Sequence, residues 1–468
     1  MKKSQFIFIA FTIIYGLFSC SSIEQEKPNI VFIIIDDLGW KDVGYMGSAW
    51  YETPNIDRLA RQGMIFTNAY ANAANCAPTR ACLLSGQYSP RHGVYTVAKP
   101  DRGKSEDRRL IPIENSLKIS LDKITIAETL KPAGYVSAAI GKLHVAVPPL
   151  QQGFDVAINK YEIGNGYEDG HFNKEGEYLT DRLTNEAVAF ITENKDRPFF
   201  LYLAHYAVHT PIQAKEELIA KYEKKDTAGC HNHAAYAAMV ESVDESIGRI
   251  NKTLEDLGLS ENTILIFFSD NGGHGTYTCQ KPLRGGKGMF YEGGIRVPMF
   301  VYWPGRVRSG TTCDFPVIGI DFYPTFTELA GAEYPGDYPL DGKSIVPLLQ
   351  GKKSIKRDAI FWHFPAYLES YEGLRDESRD PVFRTRPVSV IRKGNWKLLL
   401  FHEEWVLDGG KEKIALNNSV ELYNLKKDPG ESKNLCNIKI RKRNELLNDL
   451  LEWLQDINAP VPMEPNLN

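Results

Sequence analysis

Short apolar runs alternate with amphipathic stretches along most of the chain, and several of the apolar runs end in ionisable residues. Asn29 to Ile35 is apolar without alternation, the pattern of a strand buried on both faces, and it runs directly into Asp36 and Asp37. Thr53 to Gln62 has helical spacing, with Pro54 early and Gly63 at its end. A helix over Thr125 to Lys131 breaks at Pro132, and the strand Tyr135 to Ile140 leads into Gly141, Lys142, Leu143 and His144. Helical spacing over Asp181 to Glu193 precedes a strand from Pro198 to Ala204, followed by His205 and His209. The long amphipathic helix His233 to Leu257 precedes the strand Asn262 to Phe268, which ends in Ser269, Asp270 and Asn271. Val297 to Trp303 and Phe322 to Ala330 continue the series as strand and helix. This alternation predicts an α/β fold, a large mixed, mostly parallel sheet sandwiched by helices. From about residue 351 the pattern changes. Phe361 to Phe364, Pro387 to Ile391 and Trp396 to Leu400 read as antiparallel strands, and Lys439 to Gln455 as a final helix. The expected division is a leader over 1–19, a catalytic domain over 20–350 and a smaller α+β subdomain over 351–468.

Composition narrows the functional class. At 468 residues and 43% apolar, the chain can build a large core, and a formal charge of −4 leaves no electrostatic footprint for nucleic acid. Lys2 and Lys3 precede an apolar stretch from Phe6 to Leu17 that is too short to span a bilayer, and Leu17-Phe18-Ser19-Cys20 follows. This reads as a lipoprotein-type signal peptide with Cys20 as the lipid-bearing first residue, ordinary secretion being the alternative. The protein is therefore expected to be exported, periplasmic or anchored by lipid to a bacterial outer membrane. The other six cysteines contain no C-x-x-C pair, which excludes a zinc ribbon and a thioredoxin-like site. Their pairing is not legible.

Four strands thus end in polar or ionisable residues at the edge where open α/β sheets bind ligands. Asp36, Asp37, Asp270 and Asn271 are hard oxygen donors, the set that suits Ca²⁺ or Mg²⁺. Adjacent carboxylates at the end of a doubly buried strand repel each other without a cation. In Cys76-Ala77-Pro78-Thr79-Arg80, Pro78 suits a first helical turn, so Cys76 is placed at a helix N-terminus. Arg80 lies about one turn later, where it can pair with an oxyanion, and Gly86 supplies the stop. Cys82 reads as a small core residue. Arg80, Lys142, His144, His209 and Lys287, the last in a glycine-rich loop over 283–294, add cations. With a divalent metal they fit a tetrahedral oxyanion.

These residues and their order resemble the formylglycine-dependent (type I) sulfatases of the alkaline-phosphatase superfamily, in particular bacterial carbohydrate sulfatases. The resemblance covers roughly residues 28–435. It is carried by the C-x-P-x-R run, Asp36-Asp37, Thr53 to Ala60, Gly141 to His144, His209-Thr210-Pro211, Ser269 to Gly272, Lys287-Gly288 and Glu421 to Leu425. Leu143 departs from the tryptophan of many members. The resemblance implies an alkaline-phosphatase-like fold and a sulfuric ester hydrolase. It further implies that a maturation enzyme converts Cys76 to formylglycine, whose hydrate is the nucleophile. Asp36, Asp37, Asp270 and Asn271, with the modified Cys76, would hold Ca²⁺, or Mg²⁺ as the alternative. Arg80, Lys142, His144, His209 and Lys287 would surround the sulfate, with His209 as proton donor and His144 assisting release. His363, Arg384 and Arg386 are expected sugar contacts on a sulfated carbohydrate. Two alternatives stay open: a phosphonate monoester or phosphodiester hydrolase, and an inactive glycan-binding homologue.

Overall fold

The computed structural model describes residues 27–145, 147–371 and 377–465; the expected signal peptide and Cys20 lie outside them. Eight strands form one twisted sheet. Their spatial order is Val156–Ile158, Val136–Gly141, Phe199–His205, Asn29–Ile35, Thr263–Ser269, Met299–Tyr302, Met64–Phe66 and Thr311–Cys313. The first five run parallel, and Met299–Tyr302 alone opposes its neighbours. The mixed, mostly parallel sheet is as expected. Met299–Tyr302 is shorter than the apolar run suggests because Pro298 has no N–H for the ladder.

The Asn29–Ile35 strand is central, and all seven of its residues are buried. Ile30, Phe32 and Ile34 face the helices Cys76–Ser85 and Phe322–Leu329. Val31, Ile33 and Ile35 face Leu179–Glu193 and Ala234–Asp256 on the other side. Period-two alternation thus divides a continuous apolar run between two cores. Burial of both faces fixes the strand's register, and with it the position of the two aspartates that follow.

The C-terminal region forms a four-stranded antiparallel sheet in the order Ala359–Phe364, Val388–Lys393, Trp396–Phe401 and Val420–Asn424. The helix Ile440–Asp456 covers one face through Leu446, Leu447, Leu450 and Leu454. The other face packs Trp362, Val390 and Leu399 against Tyr70, Ile295 and Ile318 of the main body. Polar links cross the same boundary. Trp362 donates to the Ala71 carbonyl at 2.8 Å, and buried Lys397 lies between Glu292 at 3.1 Å and Glu431 at 2.9 Å. Among the described residues no helix is long and apolar enough to cross a membrane.

Candidate functional site

Cys76 opens the helix Cys76–Ser85, every residue of which is buried, and is itself 1% exposed. Gly86 ends the helix at φ 67°, its N–H bonded to the Cys82 carbonyl at 2.8 Å. The expected helix boundaries therefore hold. At its first turn the helix points unpaired N–H groups and the positive end of its dipole into the site. Arg80 is fully buried beneath Cys76, with Nε and Nη2 on Asp270 Oδ2 at 2.8 and 2.7 Å and Nη1 on the Lys142 carbonyl. Cys82 packs in the interior against Ser89 and His92.

Three parallel strands of the sheet deliver the rest, two of them adjacent and the third separated from them by one strand. Asn29–Ile35 ends in Asp36 and Asp37, Thr263–Ser269 in Asp270 and Asn271, and Val136–Gly141 in Lys142. Asp37 and His144 both adopt left-handed backbone, φ 63° and 60°. Non-glycine residues hold that conformation only where surrounding packing imposes it, and here it turns two polar side chains toward one point. Asp36, Asp37, Asp270 and Asn271 are at most 1% exposed. Asn271 Nδ2 donates to Asp37 Oδ1 at 2.8 Å, and the Asp37 N–H donates to Asp270 Oδ1 at 3.2 Å. One oxygen each of Asp36 and Asp270 and Cys76 Sγ lie within 4.8 Å of one another.

The cations surround this cluster. Lys142 Nζ donates to Asp36 and lies 3.8 Å from Cys76 Sγ. Lys287 Nζ meets Asp37 Oδ2 at 2.6 Å, and its N–H is held by the Gly273 carbonyl at 2.9 Å. His209 Nε2 is 3.8 Å from the same Asp37 oxygen, while Nδ1 is 2.7 Å from the Thr210 carbonyl. Burial pushes Asp36 up, but Lys142, His209 and Arg80 outweigh it and hold the carboxyl well below the usual range. Asp37 is likewise lowered against burial, chiefly by Lys287 and His209. Asp270 goes the other way. Burial, resisted by Arg80 and reinforced by Asp36, pushes it up to about 8. His144 is brought down to about 4 by burial and by Lys142. Arg80, Lys142 and Lys287 match the three carboxylates in number, and burial is what favours the protonated form of Asp270.

Two expected sugar contacts are corrected. His363 is 5% exposed, with Nδ1 on Ser389 Oγ at 2.8 Å and Nε2 on the Pro460 carbonyl at 2.9 Å, so neither ring nitrogen is available. Arg386 is bound to Glu403 and Asp380, which consume its charge inside the subdomain. Arg384 does reach the site margin, against Gly288.

This arrangement matches known proteins along its length. The sequence fits the family model described as Sulfatase over residues 28–332, and the one described as N-sulphoglucosamine sulphohydrolase, C-terminal, over 285–459. The chain belongs to the sulfatase family. It is 34% identical to a sulfatase of Formosa agariphila, over 98% of this chain and 95% of that one. It is 33% identical to N-acetylgalactosamine-6-sulfatase of Homo sapiens, over 70% of this chain and 67% of the relative. Its fold is similar to the crystal structure of Ps i-CgsB in complex with k-i-k-neocarrahexaose, with a TM-score of 0.71 and 30% identity over 92% of each chain. This sulfatase is accordingly a sulfuric ester hydrolase.

The donor set of this sulfatase fits a hard dication. Asp36 Oδ1 and Asn271 Oδ1 are buried without a hydrogen-bond partner, and both belong to the oxygen cluster. Sequence reasoning missed two further features. Cys230 and Cys279 form a disulfide that ties the turn before the Ala234–Asp256 helix to the loop carrying His274 and Lys287. Tyr371 reaches that same loop, its hydroxyl donating to the Lys287 carbonyl at 3.0 Å. A lone tyrosine outside any motif gives no signal of this.

Proposed function

We propose that this sulfatase removes sulfate from a sulfated carbohydrate, with Cys76 carried as formylglycine and Ca²⁺ as the resident ion, Mg²⁺ being the alternative. The observation that carries this reading is the meeting of Asp36 and Asp270 oxygens with Cys76 Sγ at a helix N-terminus, inside a ring of cations. Relatives named for sugar sulfates support the carbohydrate. A bound Ca²⁺ supplies Lewis-acid polarisation of a sulfate oxygen. Asp36, Asp37, Asp270 and Asn271 would hold it.

The chain's own groups do the remainder. Arg80 keeps the Asp270 carboxylate oriented and adds positive charge under the reacting atoms. Lys142 and Lys287 stand on opposite members of the aspartate pair, placed to bind sulfate oxygens as charge grows on them. A hydroxyl of the hydrated residue 76 would supply the nucleophile for sulfur, with the Asp270 carboxylate, one oxygen of which lies within 4.8 Å of Cys76 Sγ, placed to take its proton. His209, whose Nε2 lies 3.8 Å from Asp37 Oδ2 while Nδ1 is held by the Thr210 carbonyl, supplies a proton to the departing sugar oxygen. His144, held neutral, takes the proton of the second hydroxyl. A hydrated aldehyde at residue 76 would allow sulfate to leave by carbon–oxygen cleavage, without water attacking sulfur. An exported lipoprotein bearing lipid on Cys20 would act where sulfated polysaccharide is degraded.

The test compares 4-nitrophenyl sulfate with bis(4-nitrophenyl) phosphate, using protein made in a host that matures sulfatases, with mass analysis of the Cys76 peptide. Sulfate ester turnover should dominate and follow the modified fraction. Dominant phosphodiester turnover would overturn the choice. An unmodified thiol without turnover in every preparation would favour a glycan-binding role.

A further inference from the structure

The margin of the site next to Lys287 holds a positive charge that no carboxylate among the described residues pairs with. Arg384 lies in the short strand Phe383–Thr385, paired antiparallel with Leu368–Glu369. Its neighbours are neutralised: Arg102 pairs with Glu369, Arg379 with Glu404, and Arg386 with Glu403. Arg384 instead donates Nε to the Glu369 carbonyl at 3.0 Å, and among the described residues no carboxylate lies within ion-pair reach of it. A guanidinium cannot shed its proton, so both terminal nitrogens remain charged donors in a planar fork.

That fork is fixed in place. Its carbon lies 4.5 Å from the centroid of the Tyr371 ring, and the His274 ring stacks on the same tyrosine at 4.3 Å and 21°. Tyr371 is in turn bound to the Lys287 carbonyl. Gly288 adopts φ 86°, and a Cβ there would stand 2.8 to 3.2 Å from the Arg384 side chain. The same Gly288 donates its N–H to Ala74, two residues before Cys76. Arg384, Tyr371 and His274 are all partly exposed, so they form an open wall beside the buried cations.

We propose that Arg384, stacked on Tyr371 beside His274, forms a second anion subsite that selects substrates carrying a further negative group near the scissile sulfate. The ligand is a sugar carboxylate or a second sulfate, either of which a planar guanidinium grips through two parallel hydrogen bonds. The inference rests on the carbohydrate reading and deepens it.

The test measures kcat/KM for the matured enzyme on three defined disaccharides. One carries a single sulfate beside a neutral sugar, one a single sulfate beside a uronate, and one two sulfates. The doubly anionic substrates should be preferred at least tenfold, and R384Q should reduce that preference to below threefold. R384K, which keeps the charge and loses the fork, should fall between them. A uronate preference lost in R384Q identifies the carboxylate, and a disulfate preference identifies the sulfate. Equal losses on all three substrates, or no preference in the wild type, would overturn the subsite. If 4-nitrophenyl sulfate is hydrolysed and no sugar is, the carbohydrate reading fails by itself. The subsite is then read from inhibition of aryl sulfate turnover by the same sugars. Tighter inhibition by the doubly anionic sugars in wild type and not in R384Q supports it; identical inhibition overturns it.

Discussion

Replacing Asp270 by asparagine should change how the site takes up its ion with pH. In the metal-free site Asp36 and Asp37 stay ionised, while burial pushes Asp270 up to about 8. A dication that uses the Asp270 carboxylate must therefore displace one proton at any pH below that value. Apparent affinity should fall about tenfold per pH unit below about 8 and level off above it, so that it is about a hundredfold weaker at pH 6 than at pH 9. Asp270→Asn has no such proton and should show a nearly flat profile. It should also bind more weakly. The fold should lose stability as well, because removing one partner of a buried pair costs about 3–5 kcal/mol. The lower end applies here, because Arg80 keeps the Lys142 carbonyl and has Asp36 at 3.9 Å. Turnover should drop by about two orders of magnitude, the scale set by losing one group that fixes charge at the reacting atoms. Titration calorimetry of chelator-stripped protein with Ca²⁺, in buffers of different ionisation enthalpy, counts the released proton directly. A wild-type affinity that is flat from pH 6 to 9, or a slope unchanged in Asp270→Asn, would refute the reasoning.

Three further outcomes are expected. Cys76→Ala should abolish sulfate ester turnover while near-ultraviolet circular dichroism stays native, since alanine fits a helix start; residual turnover would exclude residue 76 as the nucleophile. Lys397→Met leaves Glu292 and Glu431 facing each other in the interior and should destabilise by about 3–5 kcal/mol in guanidinium unfolding. Adding Glu431→Gln should recover part of that loss, and an unchanged midpoint in the single variant would count against the buried link. Leu450→Ala removes a fully buried side chain beneath the C-terminal sheet and should cost about 2–5 kcal/mol, lowering the thermal midpoint of that region.

The sheet and the meeting of the acidic residues were legible because both follow from local patterns. An apolar run that ends in two aspartates specifies a buried strand and a charge pair at the strand's carboxyl end in one reading, and the structure brings Asp36 to Asp270 across adjacent parallel strands. The C-x-P-x-R run likewise encodes its own helix start. What lay beyond the sequence depends on contacts between distant segments. His363 and Arg386 have the residue types of sugar ligands, and only their partners in the fold, Pro460 and Glu403 among them, show that they are already satisfied. Arg384 is the same type two residues before Arg386, with no carboxylate paired to it among the described residues, a difference that no local pattern records. The strands Val156–Ile158 and Thr311–Cys313 were too short to announce themselves and exist because neighbouring edges accept them.

The wholly buried helix that begins at Cys76 also sets an order of events. Once the polypeptide has closed, a side chain with 1% of its surface open is out of reach of any second protein. If Cys76 is matured as proposed, the oxidising enzyme would have to work on an extended stretch of nascent or translocating chain. Chemical editing would come first, with folding then sealing the result inside.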